Sequence, residues 1–141
     1  MTILYQARAS AIGGRTGRTA TDDGALDVTL AMPPELGGAG GEGANPEQLF
    51  ACGYAACFLG AIRLVAKRRK VTLAPDARVH ATVGIGMRND GSGFGLDVAL
   101  AVDLPGLAPT LAAELVEEAD DVCPYSHLAR GNADVRLALA A

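Results

Sequence analysis

Cysteine is the residue type here with the most chemistry open to it, and the chain has three, at positions 52, 57 and 123. In a reducing compartment a disulfide that forms is usually catalytic or redox-sensing, whereas a lone thiol usually just packs. Cys52 and Cys57 are five residues apart in a stretch that reads as helix. Five residues turn a helix through about 500°, so the two side chains diverge by roughly 140° and cannot be bridged without unwinding it. Any intramolecular pair therefore includes Cys123. Cys123 precedes Pro124, which sets its thiol near a helix N-terminus, a position that favours thiolate. Cys57 falls mid-helix on an apolar stripe, where burial raises a thiol pKa and suppresses reactivity. It needs a cation nearby, and Arg15 in the glycine-rich turn Gly13-Gly14-Arg15-Thr16-Gly17-Arg18 is the candidate.

Other constellations fail on context. Gly38-x-Gly40-x-x-Gly43 matches a dinucleotide fingerprint, but Met32-Pro33-Pro34-Glu35 occupies the place of the required strand, and no Lys-Ser/Thr follows to make a phosphate loop. The cysteines, His80 and His127 lack zinc-finger spacing, and His80 reads as a solvated strand residue. Ser126 and His127 are adjacent, which is poor geometry for sharing a proton in a triad.

The elements that must position these residues are legible. Residues 2–10 and 25–30 read as strands, with a Pro/Gly loop over 31–44. Asn45-Pro46-Glu47-Gln48 combines an N-cap, a first-turn proline and a capping-box Gln. The helix it starts runs to about 69, with apolar stripes Phe50, Tyr54, Cys57, Ala61, Leu64 and Leu49, Cys52, Ala56, Leu59, Ile62. A helix apolar nearly all round belongs in the centre of a fold, against a partner. Its last turn carries Lys67-Arg68-Arg69-Lys70, which complements the helix dipole. Residues 77–87 and 94–104 alternate and form a hairpin across Asn89-Asp90-Gly91-Ser92-Gly93. A helix over 109–121, a short helix from Cys123-Pro124 to Ala129 and a last strand at Val135, Leu137 and Leu139 complete one domain over 1–141. Strands segregated from helices argue an α+β fold with antiparallel pairs.

Composition narrows the class. The net charge of −4 gives a nucleic-acid backbone nothing to attract, so no nucleic-acid partner is expected. No membrane span and no signal peptide are read from the sequence, and a cytoplasmic location is expected.

Several blocks together resemble the organic hydroperoxide resistance (Ohr) proteins of the OsmC/Ohr superfamily, across essentially the whole chain. They are Gly13-Gly14-Arg15, Glu35-Leu36-Gly37-Gly38, Asn45-Pro46-Glu47-Gln48-Leu49-Phe50, Gly53-Tyr54-Ala55-Ala56-Cys57-Phe58, Val83-Gly84-Ile85-Gly86, Val122-Cys123-Pro124-Tyr125-Ser126 and Arg130-Gly131-Asn132. The resemblance implies antiparallel sheets wrapped around long central helices in an intertwined homodimer. It implies Cys57 as the peroxidatic cysteine, Cys123 as the resolving one, and Arg15 with Glu47 as their activating pair. It implies organic hydroperoxides as substrates and a lipoyl or other external dithiol as reductant, with no bound cofactor and no metal. Glu47 and Cys57, ten residues apart on one helix, are separated by roughly 15 Å of rise. The expectation is that Arg15 and Glu47 of one subunit serve the other subunit's thiol.

This sequence departs from the family's usual pattern in three places. Cys52 replaces an Ala and reads as a packed small residue, Asp120-Asp121 replaces His-Gln, and His127-Leu128 replaces Asn-Ala. The competing readings are a superfamily peroxidase of different peroxide preference and a non-catalytic module binding an apolar ligand. The latter leaves Arg15, Glu47, Cys57 and Cys123 together by accident and predicts unreactive thiols.

Overall fold

The computed structural model describes residues 1–140, in two compact units, one over Met1–Leu49 and one from Phe50 onward. In the first, β1 (Ala9–Ile12), β2 (Arg18–Thr21) and β3 (Asp27–Thr29) form an antiparallel sheet in sequence order. The strand expected over 2–10 survives only at its end, because the alternating residues before Ala9 have no strand to complete a ladder with. β2 was not expected, although the β-branched Thr19 and Thr21 alternate in the way strands favour.

Helix α1 spans Pro46–Arg68, close to the expected bounds. Asn45 and Gln48 close its start reciprocally, each side-chain oxygen accepting the other's backbone N–H at 2.9 Å. The buried stripe is Tyr54, Phe58, Ala61, Ile62, Val65 and Ala66. Phe58 thus replaces Leu64 as a core residue, and Leu64 is 44% exposed. Cys52, Ala56 and Gly60 face outward with Leu64, so the helix is not covered all round within this chain. By length and composition alone α1 is long and apolar enough to cross a membrane, although no membrane span is read from the sequence. Its Tyr54, Phe58, Ile62 and Val65 are instead core residues of the second unit.

That unit continues with β4 (Arg78–Met87), β5 (Phe94–Asp103), α2 (Pro109–Val122), α3 (Pro124–Ala129) and β6 (Val135–Leu139). β4 and β5 are the expected antiparallel hairpin, with Val83 opposite Val98. β6 joins the other side of β5 in parallel, with Val98 opposite Val135. Two helices stand between β5 and β6, and a crossover of that kind returns the chain in the same direction. The inward faces of β5 (Val98, Leu100, Val102) and α2 (Ala112, Leu115, Val116, Ala119) meet the buried stripe of α1 in one core. The fold is α+β, built on these three-stranded sheets and one long helix.

Candidate active site

Arg15 sits on a 3-10 turn, Gly14–Thr16, at the tip of the β1–β2 hairpin. Only glycine fits the turn's closing position. A Cβ on Gly17 would lie 1.8 Å from the Ile12 carbonyl oxygen, and Gly13 has φ of +74°. Glu47 is in the first turn of α1, where the helix dipole favours a carboxylate. The two side chains make a two-pronged ion pair, Nη1 to Oε2 at 2.8 Å and Nη2 to Oε1 at 2.7 Å. The guanidinium holds the Glu47 carboxyl below its ordinary range, against the opposing effect of its burial. Arg15 and Glu47, which the resemblance implies as a pair, are thus brought together.

Cys57 and Cys123 are also brought together. The Cys123 thiol donates to the Cys57 sulfur across 3.7 Å. Cys123 has no accessible surface, whereas Cys57 is half-buried. Cys123 is the hinge between two helices. It closes α2 with its N–H on the Ala119 carbonyl, takes φ −72° and ψ 120°, and accepts the first bond of α3 from the His127 N–H. Pro124 then occupies the first position of α3, as expected. The next N–H, of Tyr125, has no partner within the helix and is close enough to Cys57 to favour its thiolate.

Burial pushes the Cys57 thiol above its ordinary value, and the Tyr125 N–H opposes that. Cys123 adds to the rise, first through the hydrogen bond the two thiols share and then because two thiolates this close repel. No charged side chain among the described residues of this unit offsets the burial. The sequence expectation that Cys57 needs a cation is therefore sharpened by its surroundings.

Cys52 does not pack within its own chain, against the expectation of a packed residue: it is exposed on the face of α1 turned away from the core. Asp120 holds Arg130 at 2.9 Å, and both line a cleft of about 510 Å³ with Val116 and Leu137 that neither cysteine lines.

Sequence reasoning missed what surrounds the thiols. Phe50, Tyr54 and Tyr125 form an aromatic cluster with centroids 5.6–5.8 Å apart. Gly53 makes room for it, because a Cβ there would lie 3.0 Å from the Tyr125 hydroxyl. The Tyr54 hydroxyl and Ser126 Oγ, both buried, are hydrogen-bonded at 2.9 Å. In the sequence Ser126 stands out only as a poor triad candidate beside His127, and no spacing rule links it to Tyr54.

The family model for OsmC-like protein matches residues 38–138. The chain is 51% identical over 138 residues to the organic hydroperoxide resistance protein of Xanthomonas axonopodis pv. citri, covering 98% of this chain and 96% of that one. It superimposes on the crystal structure of an organic hydroperoxide resistance protein from Legionella pneumophila with a TM-score of 0.92, 48% identity and coverage of 99% and 100%. For OhrB of Bacillus subtilis the TM-score is 0.90, with 43% identity over 98% of this chain and 100% of that one.

Proposed function

Because the chain belongs to the organic hydroperoxide resistance proteins of the OsmC-like family, which defend against organic hydroperoxides, we propose that it is a thiol peroxidase reducing organic hydroperoxides to alcohols. The Cys57 thiolate attacks the terminal peroxide oxygen, the O–O bond breaks, and the alkoxide leaves with a proton as the alcohol. Cys57 is left as a sulfenic acid. The Cys123 sulfur then attacks the Cys57 sulfur. An S–S bond forms, the S–O bond breaks, and the hydroxide leaves as water with the Cys123 proton. An external dithiol, for which a lipoyl group is our candidate, reduces the disulfide and is itself oxidised.

The observation that carries this reading is the 3.7 Å contact between a half-buried thiol on α1 and a fully buried one at the α2–α3 hinge. The disulfide requires the sulfurs to close to about 2.0 Å, a shift within the reach of side-chain rotation. Arg15 stabilises the Cys57 thiolate and hydrogen-bonds the peroxide, and Glu47 fixes the guanidinium in a planar two-pronged grip. Since burial leaves Cys57 short of a cation, and Glu47 is ten residues from it along α1, the ion pair of one copy acts on Cys57 of the partner subunit in a homodimer. Thiol titration before and after one equivalent of cumene hydroperoxide tests this. Two thiols lost per chain, and none in Cys57→Ser, is the expected result. Retention of all thiols overturns it.

A further inference from the structure

Tyr54 precedes Cys57 by one turn of α1, and Ser126 follows Cys123 by one turn of α3. The hydroxyl contact at 2.9 Å and the thiol contact at 3.7 Å are therefore two parallel rungs between the same pair of helices. Both hydroxyls are out of water, with Tyr54 fully buried and Ser126 3% exposed, so each depends on the other for its bond. The thiol rung must shorten during the reaction, whereas the hydroxyl rung has no chemistry to do.

We propose that the Tyr54–Ser126 hydrogen bond is a positioning latch: it fastens α3 to α1 so that Cys123 stays within striking distance of Cys57, and thereby sets how fast a sulfenic acid on Cys57 is resolved. The function it serves rests on the peroxidase reading above.

The latch is needed because α3 has only six residues, too few to hold its own shape. Besides the latch, α3 is tied by Cys123 closing α2 at its start, by the Tyr125 ring against Phe50 and Tyr54, and by Arg130 beyond its end on the Asp120 carbonyl and the exposed Asp120 and Asp121 carboxylates, ion pairs worth little in water. Burial raises the Tyr54 phenol above its ordinary value, so it remains a neutral donor or acceptor throughout the working pH range. Charge on either Cys57 or Cys123 raises it further, in keeping with a hydroxyl beside both sulfurs.

Two fates compete for the sulfenic acid. Attack by Cys123 gives disulfide and water at a rate independent of peroxide. Attack by the sulfenate on a second hydroperoxide breaks another O–O bond and gives alcohol and an irreversible sulfinic acid, in proportion to peroxide. Loosening α3 slows only the first. A misplacement of about 1 Å can cost on the order of a hundredfold in rate, so a partial loosening is expected to cost roughly tenfold.

The test is a cumene hydroperoxide titration of the reduced protein, read by intact mass as disulfide against sulfinic acid. In Ser126→Ala and Tyr54→Phe the peroxide concentration giving equal amounts of the two products should fall by about tenfold. Ser126→Thr, which keeps a hydroxyl, should restore it. The Tyr54→Phe/Ser126→Ala double variant leaves no buried hydroxyl unsatisfied and should match the singles in product ratio while melting higher than they do. If the singles differ from wild type only in melting temperature, the latch is wrong. A second arm closes the disulfide with diamide, without peroxide. If wild type fails to consume peroxide yet Ser126→Ala slows diamide closure, the peroxidase reading falls and the latch stands. Unchanged closure in both arms overturns the latch alone.

Discussion

The Cys123 thiol is completely enclosed and points at the Cys57 sulfur 3.7 Å away. That division of exposure suits the proposed mechanism, in which the more accessible sulfur meets an outside oxidant and the enclosed one meets only its neighbour. Replacing each should have different consequences. Cys57→Ser should lower peroxide turnover by at least about a thousandfold, the scale on which loss of a nucleophile acts. Cys123→Ser should still consume one equivalent of peroxide and then stall as a sulfenic acid. Stopped-flow peroxide consumption with dimedone trapping distinguishes the two.

The Arg15–Glu47 pair predicts an acid-sensitive contribution to stability. Glu47 is depressed below its reference value of 4.5, so the folded state binds its proton more weakly than the unfolded chain does. The stabilisation is therefore present above pH of about 4.5 and disappears as pH falls through the folded-state value. Arg15 is one-third exposed, so solvent screening limits the effect to about 1 kcal/mol. Urea unfolding of wild type and Glu47→Gln should differ by that much at pH 7 and converge as pH falls below the reference value of 4.5.

Cys57 should reveal its missing cation through pH. Burial disfavours its thiolate, and an opposing guanidinium would favour it. In a Cys52→Ser/Cys123→Ser background, iodoacetamide alkylation of Cys57 should therefore show a higher pH midpoint in Arg15→Gln than with Arg15 present. An unchanged midpoint would remove Arg15 from the role of activator.

The outward face of α1 predicts a second copy. Cys52, Ala56, Gly60 and Leu64 are exposed on it, and nothing lies within 4 Å of a Cβ built at Gly60. On an uncovered helix Gly60→Ala would stabilise by about 1 kcal/mol. Against a partner's backbone the added methyl would do the opposite. The expected result for a homodimer is a weaker self-association in sedimentation and a lower melting temperature. Cys52 should then label quickly in dilute monomer and slowly in the dimer.

The helices and the hairpin were readable because their signals are local. Asn45 and Gln48 cap one end of α1, the Asn89–Gly93 run turns the hairpin, and Pro124 starts α3. The buried face of α1 was only half readable. Leu64 and Phe58 are both large and apolar, and which one turns inward depends on where β5 and α2 lie. The parallel β5–β6 pairing and the Tyr54–Ser126 bond join residues remote in sequence, so neither leaves a periodic trace. The four site residues were found through the family's blocks. Spacing alone established that Cys52 and Cys57 cannot pair, and left Cys123 as the other partner.

That parallel pairing also bears on the order in which the molecule is made. β5 gains its second neighbour only from β6, which follows both helices that flank Cys123. Long-range pairings of this kind form late, because the intervening chain must be closed first. On the ribosome, Cys57 emerges well before the strand that completes this sheet. A newly made chain thus carries Cys57 and Cys123 apart until the segment through β6 has been made, and under the proposed mechanism it gains its disulfide chemistry only late in folding.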